Sequence, residues 1–202
     1  MLNKQKRIII PLFSAFFLSA AFAMITEKTS QAITSSVNST IAGIISLQTS
    51  SATVAVNVTP TGAGVQTINK DVVTISTNNS AGYTLKLSET NANNTLVSGS
   101  NTIAASSGTL TTPVVMAVNT WGYRVDGAGG FGATATSAVN NAAISGTIKF
   151  AAVPAIAAPD TIKTTAATAS NDITNVWYGV AANTAVPSGA YTNSVTYTVT
   201  AN

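Results

Sequence analysis

Two short aromatic clusters, Trp121 with Tyr123 and Trp177 with Tyr178, are the residues of this chain whose types and spacing come nearest to a binding surface. An aromatic face stacks on the apolar side of a sugar ring while the indole N–H or phenol O–H hydrogen-bonds beside it. The competing reading is packing, since a β-domain fills its core with such rings. Trp177 and Tyr178 must also point to opposite faces of any strand that holds both. On the sequence alone both readings stay open. Catalysis has less to work with. The chain has no histidine and no cysteine, which removes the commonest general base, the commonest transition-metal ligand and any disulfide together. Its carboxylates, Glu27, Asp71, Glu89, Asp126, Asp160 and Asp172, are scattered, and none stands in a recognisable constellation with a base. The glycine-rich run at residues 126–132 (DGAGGFG) offers one carboxylate where a calcium loop needs several. No βαβ pattern surrounds it to make it a dinucleotide loop. No catalytic residue, metal ligand or cofactor is therefore expected, and the chain reads as a non-enzyme.

The first residues bear on where the protein works. Lys4, Lys6 and Arg7 precede a mostly apolar run at residues 8–21, followed by Ala21-Phe22-Ala23. A basic start, an apolar stretch of intermediate length and small residues at the cut predict a secretory signal peptide over residues 1–23. An uncleaved membrane anchor is the alternative, opposed by the shortness of the run and by Pro11. The nine Lys and Arg outnumber the six Asp and Glu by three, and the three cations before residue 24 account for that excess. The chain beyond the signal is neutral, so nucleic-acid binding, which needs clustered cations against phosphates, is excluded. No second apolar segment is long enough to span a membrane after signal cleavage.

The elements that must position the aromatics are strands. Residues 191–201 alternate Tyr191, Asn193, Val195, Tyr197, Val199 and Ala201 with Thr and Ser, a period of two that puts an apolar row on one face and a hydroxyl row on the other. Residues 52–58 (ATVAVNV), 71–76 (DVVTIS), 83–87 (YTLKL), 113–119, 121–125, 147–153 and 175–181 carry similar signals. Turn-rich residues 78–82 and 183–189 predict two hairpins, one joining 71–76 to 83–87 and one joining 175–181 to 188–201. Thr, Asn, Pro and Gly recur too often for an amphipathic helix. The expected fold is all-β, a single Ig-like β-sandwich with Greek-key connections over residues 44–202, preceded by the signal peptide. Residues 24–43 read as a flexible leader or a loosely held first strand. Val37, Ile41, Ile45 and Leu47 share one parity there, and are candidate anchors for adding this strand to the sheet edge of a neighbouring molecule. Pairing within its own sheet is the competing reading.

The ordered set TISTNNSAGYTLKLS (74–88), WGYRV (121–125), KFAAVPA (149–155), PDTIKTT (159–165) and VWYGVAANTAVPSGAYTNSVTYTVTAN (176–202) resembles secreted surface β-sandwich proteins of very small-genome bacteria in the candidate phyla radiation, especially the Saccharibacteria. The closing SGAYTNSVTYTV is also similar to the final strand of spore-coat-U and fimbrial-type domains. The resemblance implies an exported, surface-associated, Ig-like protein and brings no catalytic residues. With no sorting motif and C-terminal apolar tail, covalent wall anchoring is not expected.

The function expected from these readings is that of a secreted, non-catalytic structural or adhesion protein, extracellular or held at the cell surface as a subunit of a surface assembly. Its partners would be further copies of itself or a cell-surface protein or glycan. Charged residues make up only 7% of the chain, and a surface of Thr, Ser, Asn and Ala favours association. The alternative is a carbohydrate-binding module using Trp121, Tyr123, Trp177 or Tyr178 where they are exposed.

Overall fold

A computed structural model of the chain describes residues 36–202. The signal peptide, its cut and the first part of the leader fall on residues outside that range. Among the described residues the protein is all-β, with strands in several sheets and no helix. Residues 41–202 form one compact unit.

Two long strands make the spine, β2 (Val65–Thr77) and β11 (Ala169–Ala182), antiparallel from Val65 opposite Ala182 to Thr77 opposite Ala169. On the free side of β11 lies β7 (Thr120–Arg124), then β5 (Asn101–Ala105), joined to β7 in parallel, then β4 (Leu96–Ser98). On the free side of β2 lie β1 (Ile45–Thr49), opposite residues 73–77, and β8 (Val139–Ala142), opposite residues 66–68. The second sheet has β3 (Tyr83–Glu89) between β10 (Asp160–Thr164) and β12 (Val195–Ala201). A two-stranded ribbon pairs β6 (Val114–Val115) with β9 (Lys149–Phe150).

Side chains of both main sheets meet in one core. Val73 and Ile75 of β2, Val176, Tyr178 and Val180 of β11, and Tyr83, Leu85 and Leu87 of β3 belong to the same buried cluster. Each set occupies alternate positions, as one face of a pleated strand must. The second half of β11 is buried on its other face too. There Trp177 and Ala181 pack with Ile68, Met116 and Phe150 in a second cluster. Gly179 makes this possible, because a Cβ at that position would collide with Met116 and the Phe150 ring.

Both expected hairpins are corrected. β2 and β3 lie in different sheets, as do β11 and β12, so residues 78–82 and 183–194 cross between layers. The reason is burial. The core rows of β2 and β3 face each other across the domain, which no hairpin within a single sheet allows. The sharp crossing at residues 78–82 is held by Asn79, whose Oδ1 accepts the Ala81 N–H at 3.2 Å and whose Nδ2 donates to Gly82 O at 3.1 Å. Gly82 supplies the positive φ of 84°. Residues 52–58 differ in another way. Val54, Val56 and Val58 are half-buried between exposed neighbours, the alternation of an extended chain, yet these residues belong to no strand ladder. The expected strands at 113–119 and 147–153 shrink to two residues each.

Candidate functional site

The four aromatics do not converge. Tyr123 is fully buried, and its hydroxyl donates to Asp160 Oδ2 at 2.6 Å. Burial, then this contact, pushes its phenol well above the ordinary value. Trp177 lies in the second cluster, on the opposite face of β11 from Tyr178, with the Lys70 ammonium 5.4 Å from its ring centre. Trp121 and Tyr178 are also buried, at 4% and 6% exposed, so none of these rings offers an open stacking face. Yet Trp121 and Tyr178 share the wall of one cavity, a groove of about 920 Å³.

The groove runs between two rims. One runs from Thr49 at the end of β1 through the unladdered residues to Pro60, with Val54, Val56 and Val58 turned inward; the other is formed by residues 186–197. The floor comes from the main core, with Leu96, Ile103, Trp121, Tyr178 and Val180. Trp121 is fixed there by its Nε1–H, which donates to Asn94 O at 2.9 Å. Apolar surface thus covers most of the floor. One polar point interrupts it. Tyr178 and Tyr197 join their hydroxyls at 2.7 Å beside Asp71, the one carboxylate of the lining among the described residues. Asp71 Oδ1 accepts Ser50 N–H at 3.0 Å and Ser50 Oγ–H at 2.8 Å. Burial pushes both phenols well above their ordinary range, with the paired phenol and Asp71 adding at Tyr197. Both therefore stay protonated, as neutral donors and acceptors.

The first rim carries unused backbone. Among the described residues, 52–58 make no backbone–backbone hydrogen bond. Ala55 O accepts from Asn69 Nδ2 at 3.0 Å and Asn57 O from Thr67 Oγ1 at 2.8 Å, so these two residues spend their carbonyls on side chains of β2, while Thr53 O accepts from Ser51 Oγ at 2.7 Å. In an extended chain successive peptide groups point to opposite edges, which leaves those of Val54, Val56 and Val58 aimed away from β2. Across the groove, β12 pairs with β3 on one edge and has no strand on the other among the described residues. Val195, Tyr197 and Val199 turn toward the core but are only half-buried.

The expected strand anchors divide. Ile45 and Leu47 sit in β1, opposite Thr77 and Ile75 of the chain's own β2. Val37 and Ile41 lie in no strand and are 91% and 83% exposed. The Asp126 loop is committed to structure. Arg124, buried, donates from Nε to Asp126 Oδ1 at 2.7 Å, and Thr136 N–H donates to Oδ2 at 2.8 Å. Burial would raise this carboxyl, but the bonds from Thr136 and Arg124 win and hold it below the usual carboxylate value. Among the described residues no three His, Cys, Asp or Glu gather as a metal site would require.

Sequence reading missed Asp71, Tyr191 and Tyr197 as groove residues. One signal was present. Asp71 shares its parity with Val73 and Ile75, so an acid stands next to that apolar pair on the same face. Compared with family models, with curated proteins and with solved structures, the chain matches none.

Proposed function

We propose that this chain is a secreted, non-catalytic surface protein, an Ig-like sandwich with Greek-key connections behind a signal peptide, that acts as an adhesive or structural subunit of an extracellular assembly. The observation that carries this reading is the groove, an apolar floor between residues 52–58, which make no backbone–backbone hydrogen bond among the described residues, and β12, whose far edge carries no strand among them. Such a feature gains free energy by taking up another extended segment, whose main chain completes the hydrogen bonds while its side chains fill the floor. Three of the five described carboxylates support the same reading. Asp126 is bound to Arg124, Asp172 to Lys163 and Tyr83, and Asp160 to Tyr123. The test is location and mass on intact cells. Surface protease treatment and immunogold labelling of a tagged full chain are expected to find it outside the cell and in large species after cross-linking. A pool confined to the cytoplasm would overturn the proposal.

A further inference from the structure

The occupant of the groove can be named from the chain itself. We infer that residues 36–41 of one copy enter the groove of a second copy as an added strand, between residues 52–58 and β12, and link the chains head to tail. This rests on the reading of the protein as a subunit that binds through its groove.

Four observations lead there. The first is the arm. Residues 36–44 belong to no strand and are exposed throughout, with Val37, Ile41 and Ile44 at 91%, 83% and 65%. Val37 and Ile41 share a parity with Ser39 and Gly43 between and beside them, so an extended arm shows one spaced apolar face. The second is charge. The arm has no charged residue, so it enters an apolar groove without desolvating an ion. The third is length. Residues 36–41, which precede the first bond to the chain's own β2, span about 20 Å when extended and residues 52–58 about 23 Å, so the arm covers most of the rim.

The fourth observation decides between the chain's own groove and a neighbour's. Asn78, at the end of β2, accepts the Ile44 N–H on Oδ1 at 2.8 Å and donates from Nδ2 to Ala42 O at 2.8 Å. Thr77 Oγ1 also donates to Ile44 O at 2.8 Å. These bonds fix the root of the arm at the start of β1. The groove begins at the other end of β1, where Thr49 and Ser51 line it. To fill its own groove the arm would have to reverse at the clamped residues and run back past all of β1. A second copy needs no such reversal. Because arm root and groove are different surfaces, the contact is heterologous, and repetition gives an open chain of subunits rather than a closed dimer.

The chain has no cysteine, so cross-links can be placed cleanly. Full-length Ile41→Cys and Thr53→Cys proteins, each altered at an exposed residue, are mixed and oxidised, with Ala167→Cys replacing Thr53→Cys as control. The expected result is a mixed disulfide for the first pair well above the control, and loss of high-mass species in Ile41→Asp with an unchanged melting curve. Ile173→Asp, at another exposed apolar residue, is expected to keep those species. Yields equal to the control would overturn the inference, and so would a strictly monomeric parent chain. A disulfide that forms only within a chain carrying both cysteines would show the arm in its own groove. A lipid or glycan extracted from the purified protein and displaced from it by Trp121→Ala would assign the groove to that ligand instead. Failure here with the protein still found in surface assemblies removes only the arm-in-groove contact, whereas a cytoplasmic location removes the wider reading.

Discussion

Residues 52–58 and 175–181 both alternate in sequence, and the structure treats them oppositely. In β11 the row Val176, Tyr178 and Val180 meets β3 across the core while β2 and β7 pair along both edges, and the reverse face is covered as well. At residues 52–58 an equally regular row faces the groove, and no ladder forms on either edge. Alternation therefore specifies an extended chain with one apolar face. Whether that chain becomes a strand depends on a partner with free peptide groups within reach. The closed side of the molecule has its partners built in, and the open side does not.

The sharpest contrast should appear on truncating matched side chains. Leu85→Ala, at a fully buried position of the closed core, is expected to cost about 3–5 kcal/mol in denaturant unfolding, from lost burial plus the cavity left behind. A loss near that of an exposed residue would mean the two sheets do not share a core. The next largest effect falls on the Arg124 pair. Asp126→Ala leaves a guanidinium that is 2% exposed without its carboxylate, and about 3 kcal/mol is expected to be lost. Asp126 is held low in the folded state, so its contribution is present above the unfolded pKa and fades as pH falls through the folded one. An Asp126→Ala protein should accordingly show a flatter acid limb in a melting series.

Glu89 sharpens the comparison from the other direction, because the closed side holds a polar group it does not satisfy. Its Oε1 is buried without a partner among the described residues, and burial raises its pKa above the ordinary value. A raised carboxyl pKa means the folded state keeps a proton that the unfolded state releases. Stability therefore falls as pH rises from the unfolded value through the folded one. Glu89→Gln is expected to remove that slope and gain about 1–2 kcal/mol at neutral pH, read from melts across the pH range. An unaltered slope would place the proton elsewhere. The smallest effect belongs to the open side. Val56→Ala in the isolated monomer should cost less than about 1 kcal/mol, since the side chain is only half-buried. In assembled material the same change should weaken association more than folding.

Much of the fold was legible, and the reasons are local. The rows Val73/Ile75, Tyr83/Leu85/Leu87 and Val176/Tyr178/Val180 occupy core faces as their spacing requires, because burial enforces a period of two in any strand with one dry face. The connections were not legible. Asn79 and Gly82 mark a tight turn in either case, and whether it joins neighbours in one sheet or crosses between two is decided by residues far away in sequence, such as β11 and β12. The double burial of β11 was hidden for a similar reason. Gly179 looks like a weak point in a strand until Phe150 is known to rest on it. At the site, aromatic identity pointed to Trp121 and Tyr178 but also to Trp177, which faces the other way. Type alone carries no direction, and only the adjacency of 177 and 178 predicted that they part.

The pairing of β2 with β11 also bears on when the molecule can become a molecule. Its partners are drawn from residues 65–77 and 169–182, and β3 likewise waits for β12 at residues 195–201. Closing loops of that length carries a chain-entropy cost that nothing nearby in sequence repays, and topologies dominated by such distant pairings fold slowly. Until β11 is made the larger sheet lacks half of its spine, and until β12 is made one edge of β3 has no neighbour. A chain whose spine is paired so far apart in sequence stays open until the second of its two long strands is made.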